Sequence, residues 1–310
     1  MKHAYLIIAH NEPDVLKTLL FMLDDERNDI YLHMDARAVE LFNQFKDFQL
    51  KKGKLIILQN RIAVYWGDLS QVEVEYRLFE AALQNGPYAY YHLLSGVDLP
   101  IKTQDYIHEF FQKHAGKEFI GFWNEPSHRK DVYRKVYRYY LFTRYFKGGS
   151  SFVHGITAFT RNVCLGIQKL IKFRRKHVWD SFYKGFQWIS ITDSFCHYLV
   201  DKKAYIMKTF KYTLCPDEIF IQSLIWNSPF RENIYDLSDA SKGSVRAIDW
   251  QRGSPYVWQL EDFEELKNSS CLFARKFSAK YPDIIERLFT FYSFSRQHHY
   301  CPLKMDKVKN

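Results

Sequence analysis

The sequence predicts an α/β fold on a mostly parallel sheet with helices on both faces, and three observations carry that prediction. Apolar runs the length of buried strands recur through the first hundred residues, at 4–9, 29–34, 54–58 and 88–94. Segments with apolar residues at helical spacing lie between them. The runs stop at polar clusters, as strands do where ligands bind beyond the carboxyl ends of a parallel sheet.

Taken in order, the first strand ends at His10-Asn11-Glu12, and Pro13 then suits the first turn of a helix whose buried face is Leu16, Leu19, Leu20 and Leu23. The second strand ends at His33-Met34-Asp35. Ser70-Gln-Val-Glu73 has the pattern of a capping box, with Val72, Tyr76, Phe79 and Leu83 as the buried stripe behind it. The fourth strand ends at Ser95-Gly96-Val97-Asp98. Further on, a helix is expected over 105–113 and a strand over 118–122. A basic, tyrosine-rich stretch follows, with Arg129, Lys130, Arg134, Lys135, Arg138, Arg144 and Lys147, broken by Gly148-Gly149-Ser150-Ser151. A second basic run, 169–176, is expected on a helix with Leu170, Ile171 and Phe173. No repeat or linker divides the chain, so 1–310 reads as one catalytic domain, with a nucleotide-binding half to 102 and an acceptor-side half beyond it.

Composition narrows the function. A hydrophobic fraction of 47% is enough for a sizeable core and excludes intrinsic disorder. The net charge of +9 calls for an anionic partner: a nucleotide, a nucleic acid or an acidic membrane surface. The five cysteines, Cys164, Cys196, Cys215, Cys271 and Cys301, lack metal-like spacing and read as reduced thiols of a cytoplasmic protein. No stretch reaches the ~18 uninterrupted apolar residues of a membrane span, so membrane association is expected to be peripheral.

Three constellations offer chemistry. Cys215-Pro216-Asp217-Glu218 precedes an apolar helix. Proline and carboxylates suit a helix's first turn, and the same turn holds a carboxylate rigidly enough to deprotonate a sugar hydroxyl. The adjacent Arg275 and Lys276 read either as surface charges or as a clamp for a diphosphate, whose negative charge grows as it leaves. Asp249-Trp250 before Gly253-Ser254-Pro255 is either a strand meeting a loop or an acceptor and stacking face for a sugar. Phosphate-loop and dinucleotide glycine fingerprints are absent, as is any zinc-like cluster. Asp98 stands alone where a metal-dependent sugar-nucleotide enzyme carries Asp-x-Asp, and one carboxylate is a poor cage for a hard cation.

The ordered set resembles the core-2/I-branching N-acetylglucosaminyltransferase and peptide O-xylosyltransferase family. The matching pieces are residues 3–13 (HAYLIIAHNEP), 31–37 (YLHMDAR), 66–82 from Trp66-Gly67, 92–103 (HLLSGVDLPIKT), Gly185-Phe-Gln-Trp188, Pro216-Asp217-Glu218, Ile248-Asp249-Trp250 and 273–277 (FARKF). The resemblance implies a GT-A-type fold, a UDP-sugar donor, inversion at the anomeric carbon, and no bound metal or other cofactor. By position it implies that Glu218 is the general base and that Arg275 and Lys276 bind the donor diphosphate. It implies that His10, His33, Asp35, Ser95 and Asp98 lie at the nucleotide, and that Gln187, Trp188, Asp217, Asp249 and Trp250 lie at the sugar or acceptor. The Asp-Trp and Arg-Lys pairs match the xylosyl branch, whereas Pro-Asp-Glu matches the N-acetylglucosaminyl branch. The donor sugar is therefore left between xylose and N-acetylglucosamine. The acceptor is expected to be a hydroxyl of a glycan, a lipid-linked saccharide or a protein. Animal members carry an amino-terminal anchor and stem, and without these the chain reads as a bacterial-type catalytic domain working inside the cell, with an anionic membrane surface as a further partner. The alternative is a non-catalytic carbohydrate- or nucleic-acid-binding protein using the Arg/Tyr-rich 129–147 surface. No nucleic-acid fold signature accompanies that surface, so no nucleic-acid partner is expected.

Overall fold

Five strands form the main sheet: β1 (His3–Ala9), β2 (Asn28–Met34), β3 (Lys54–Ile57), β4 (Tyr90–Ser95) and, after β5 (Asp98–Pro100), β6 (Ser190–Thr192). Their order is β3-β2-β1-β4-β6, parallel except for the antiparallel edge strand β6. This computed structural model describes residues 1–147 and 152–293. The Gly-Gly-Ser-Ser break and Cys301 lie outside the described residues. A smaller sheet, β5-β8-β7, joins β7 (Arg246–Ile248) and β8 (Phe273–Arg275) to the short strand that follows β4.

The helices follow as α1 (Pro13–Met22), α2 (Val39–Phe45), α3 (Ser70–Leu83), α4 (Gln104–Lys113), α5 (Pro126–Val136) and α6 (Phe152–Leu170). The remainder are α7 (Asp193–Asp201), α8 (Lys203–Phe210), α9 (Phe220–Trp226), α10 (Ala240–Ser244), α11 (Phe263–Asn268) and α12 (Pro282–Ser293). Strand period decides which face each helix covers. Tyr5 and Ile7 of β1 meet Leu16, Leu19 and Leu20 of α1, together with Ile107 of α4 and Ile284 and Leu288 of α12. Ala4 and Leu6 point the other way, toward Val72, Tyr76 and Phe79 of α3, Phe195 of α7 and Ile221 of α9. Both faces are covered, which is why these strands are mostly apolar instead of alternating, with Asn28, Asp29, His33 and His92 among the buried exceptions.

The structure corrects three local expectations. Ser70 is the first residue of α3 and not its cap; its hydroxyl accepts from the Tyr65 N–H, while Asp68 accepts from the Ser70 N–H and Glu73 pairs with Arg77. Residues 118–122 are extended but make only single bridges, from Glu118 to Ile234 and from Phe119 to Ser190. The basic run 169–176 lies mostly beyond α6, which ends at Leu170. At Ser70 and Glu73 the partners are near neighbours in the chain, whereas beyond Leu170 the Arg175 guanidinium is drawn to the Val136 and Thr209 carbonyls.

Candidate active site

Three distant segments are stapled side by side at one wall of a cavity. The Gly185 N–H donates to the Glu218 carbonyl at 2.9 Å, and the Trp123 N–H donates to the Lys184 carbonyl at 2.8 Å. Glycine is required for this approach. A Cβ on Gly185 would lie 1.8 Å from the Gly121 carbonyl oxygen, and backbone at that distance has nowhere to move. Glu218 itself closes a single 3-10 turn, Pro216–Glu218, entered from Cys215 in the left-handed region at φ 50°. It therefore precedes α9, whereas the sequence pattern places it in that helix's first turn.

The Glu218 carboxylate is held by two ammonium groups, Lys184 at 3.0 Å and Lys135 at 3.8 Å. Asp131 sits behind both, 2.9 Å from Lys135 and 3.1 Å from Lys184, and also pairs with Arg134 at 2.7 Å. Burial opposes the charge on Lys135, yet Cys215, Glu218 and Asp131 outweigh it and raise its pKa. Burial likewise opposes the charge on Asp131, and its cationic neighbours outweigh that to hold the carboxyl below its usual range. Lys135 was read as part of a basic surface stretch, but it is buried and spent inside this lattice.

Glu218 opens onto a cavity of about 1100 Å³ lined also by Trp123, His128, Lys184, Asp249, Trp250 and Trp258. Trp123 stacks on His128 with centroids 4.8 Å apart, meets Trp250 edge-on at 6.0 Å, and carries Lys184 over its face at 4.7 Å. Asp249 reaches the cavity wall, but its carboxylate accepts from the Gln251 and Arg252 N–H groups and from the Arg252 guanidinium. Trp250 remains partly exposed, a planar face of the kind on which a sugar stacks.

A second group gathers at the carboxyl ends of the strands. Arg275 of β8 sits opposite Asp98 of β5; its guanidinium donates to the Asp98 carboxylate at 2.8 Å and to the Ser95 hydroxyl. Asp98 also accepts from the Ser95 N–H and hydroxyl, and Arg275 lies 4.6 Å over the Trp188 ring. The guanidinium is thus fixed in place while keeping a fifth of its side-chain surface exposed. Lys276 is half-buried, and among the described residues its ammonium has no hydrogen-bond or ion-pair partner. Trp258 links this group to the cavity: it lines the wall, its indole N–H donates to the Arg275 carbonyl, and its backbone N–H to the Lys276 carbonyl. His10 stands at the surface past β1; desolvation of its ring, reinforced by Arg275 and Arg37 and opposed by Asp35, lowers its pKa.

Several residues expected to touch a ligand are turned inward. His33 accepts from the Ile62 N–H, and burial lowers its pKa to about 4. The Asp35 carboxylate accepts from the Val64 N–H and from the backbone and side chain of Arg37. Both residues anchor the segment around 61–65. Asp217 is buried and accepts from Gln71 at 3.1 Å, its other oxygen without a partner among the described residues; burial first, then Glu218, raises its pKa. Gln187 donates to Glu75 at 2.7 Å, whose pKa burial raises, with Asp217 adding to the rise. Trp188 is buried beneath Arg275, and Ser95 and Asp98 are committed to that arginine. Sequence reasoning missed Lys184, Asp131, Trp123 and Trp258. The Asp131/Lys135 pair at helical i,i+4 spacing was a usable signal; for Lys184 there was none beyond its place before Gly185.

What the geometry defines is an α/β domain with a tryptophan-walled cavity at Glu218 and, beside it, a fixed arginine at the carboxyl ends of its parallel strands. Residues 3–269 match the profile of the Core-2/I-Branching enzyme family, and the chain belongs to that family. It is similar to Xylosyltransferase 2 of Rattus norvegicus, 25% identical over 295 residues, covering 89% of this chain and 32% of that protein. It is also similar to Xylosyltransferase 1 of Canis lupus familiaris, 23% identical over 305 residues, covering 89% of this chain and 29% of the relative. The chain thus spans about a third of the length of the curated relatives it matches. Among solved structures, mouse Xyloside xylosyltransferase 1 in its apo form aligns with 88% of this chain and 97% of its own at 11% identity, with a TM-score of 0.37.

Proposed function

We propose that this chain is a glycosyltransferase that moves xylose or N-acetylglucosamine from a UDP-sugar to an acceptor hydroxyl, with inversion and without a metal. The observation that carries the reading is Glu218 at the wall of a cavity large enough to admit a sugar, linked through Trp258 to Arg275 and Lys276 at the strand ends. In this reading the Glu218 carboxylate takes the acceptor proton. The freed oxygen attacks the anomeric carbon, and the bond from that carbon to the diphosphate breaks on the opposite face, giving the β-linked product. The electron pair leaves on UDP, whose growing charge Lys276 and the fixed guanidinium of Arg275 stabilise. Trp250 stacks on the sugar or acceptor.

Cation-based leaving-group stabilisation is supported by the engagement of Asp98, whose carboxylate already holds Arg275 and Ser95. Xylosyl transfer is favoured by the names of the relatives. The four described cysteines are free, which fits a reducing, cytoplasmic setting. The test is binding and hydrolysis of a panel of UDP-sugars with and without chelator. Saturable binding of one UDP-sugar that survives chelator supports the reading and names the donor. Binding that requires a divalent ion removes the metal-free claim, and failure to bind any UDP-sugar removes the transferase claim.

A further inference from the structure

Helix α6 presents its apolar side to solvent. Phe152, Ile156, Phe159, Val163, Ile167 and Leu170 recur three or four residues apart, and at 100° per residue they occupy an arc of roughly 80°. Such a stripe ordinarily faces a core. Here Phe152 and Leu170 are 83% exposed and Phe159 is 71% exposed. The opposite, more polar side meets the protein: Thr157 and Arg161 are buried, Arg161 lies 4.6 Å over the Phe146 ring, and Gln168 exchanges hydrogen bonds with the Tyr139 backbone.

The charge around the stripe has one sign. No acidic residue occurs between Asp131 and Asp180. Lys169, Lys172 and Lys176 are exposed beside and just beyond the end of the helix, with no anionic partner among the described residues. Ile171 and Val178, also exposed, extend the apolar surface among these cations. No described helix is long and apolar enough to cross a membrane. An apolar stripe edged by unpaired lysines on a helix that cannot span fits the interfacial plane of an anionic bilayer, with apolar side chains among acyl chains and ammonium groups at phosphates.

We propose that α6 docks this protein on an anionic lipid surface through the Phe152–Leu170 stripe, with Lys169, Lys172 and Lys176 at the headgroups. The inference does not rest on glycosyl transfer. The experiment is co-sedimentation of the full chain with vesicles of phosphatidylcholine alone or with about a third phosphatidylglycerol, at low salt and at about 0.5 M salt. The expected result is at least about tenfold tighter binding to the anionic vesicles, reduced by salt, and lost in Phe159→Asp/Ile167→Asp. Lys169→Glu/Lys172→Glu, at exposed positions outside the stripe, is expected to weaken binding to anionic vesicles with an unchanged melting temperature. This charge-reversal variant tests the proposal even if the stripe variant fails to fold. The proposal is overturned by no vesicle binding, by equal binding to neutral vesicles, by a folded stripe variant that binds like the wild type, or by a stripe-dependent dimer without lipid affinity.

Discussion

Lys184 and Glu218 face each other across 3.0 Å at the cavity wall, ammonium to carboxylate, and the backbone beside Lys184 is tied to the backbone of Glu218 through Gly185. Side chain and main chain together leave the carboxylate little freedom. That is what a proton acceptor needs, because transfer depends on geometry before it depends on basicity. Glu218→Gln keeps the shape and removes the acceptor. Transfer is expected to fall by about 100-fold or more while UDP-sugar affinity stays nearly unchanged. Single-turnover assays and calorimetric titration check both; a wild-type transfer rate in this variant assigns the base elsewhere.

Arg275 and Lys276 are neighbours with different obligations. Arg275 neutralises a buried Asp98, so Arg275→Ala, which leaves that carboxylate only the Ser95 hydrogen bonds and the charge of Arg246, is expected to cost about 3 kcal/mol of stability besides weakening UDP binding. Among the described residues Lys276 has no such partner. Lys276→Ala is expected to weaken UDP binding about tenfold or more with an unchanged melting temperature. Thermal melts alongside titrations separate the two; equal destabilisation by both variants contradicts the assignment.

Gly185→Ala is expected to cost at least about 1–3 kcal/mol and to abolish activity, because the added methyl meets backbone that cannot yield. Gly166→Ala is the control. Its Cβ meets nothing within 4 Å in the interior of α6, so stability is expected to rise by up to about 1 kcal/mol. Urea unfolding of the two variants tests the contrast.

His33 ties stability to pH. Its pKa is lowered from 6.5 in the unfolded chain to about 4 in the fold, so the unfolded state binds the extra proton between those values. The stabilisation is whole above pH 6.5 and is lost as pH falls through about 4, an effect on the order of 3 kcal/mol. His33→Gln, whose side-chain oxygen can still accept from the Ile62 N–H, is expected to remove this part of the acid limb. The stability difference between wild type and variant should shift in the variant's favour by about 2–3 kcal/mol from pH 7.5 to 4.5, measured by denaturant unfolding. A pH-independent difference refutes the assignment.

Legible in the sequence alone were the alternation of strands and helices through the first hundred residues, the doubly covered sheet, and the candidacy of Glu218, Arg275, Lys276, Asp249 and Trp250. These rest on local periodicity and on short motifs, and both survive folding because they are written in neighbouring residues. Packing alone settles which polar groups pair with one another. Asp98 and Arg275 are 177 positions apart, Gln187 and Glu75 112 apart, and Asp217 and Gln71 146 apart. Each pairing holds a candidate site residue in place, and for Asp98, Gln187 and Asp217 it engages a polar group that local pattern leaves free for a ligand. The solvent-facing stripe of α6 belongs with these, since periodicity defines an apolar face but cannot say what it meets. A buried polar atom must find a partner, and when that partner is distant in the chain its identity appears only when the packed core brings the two together.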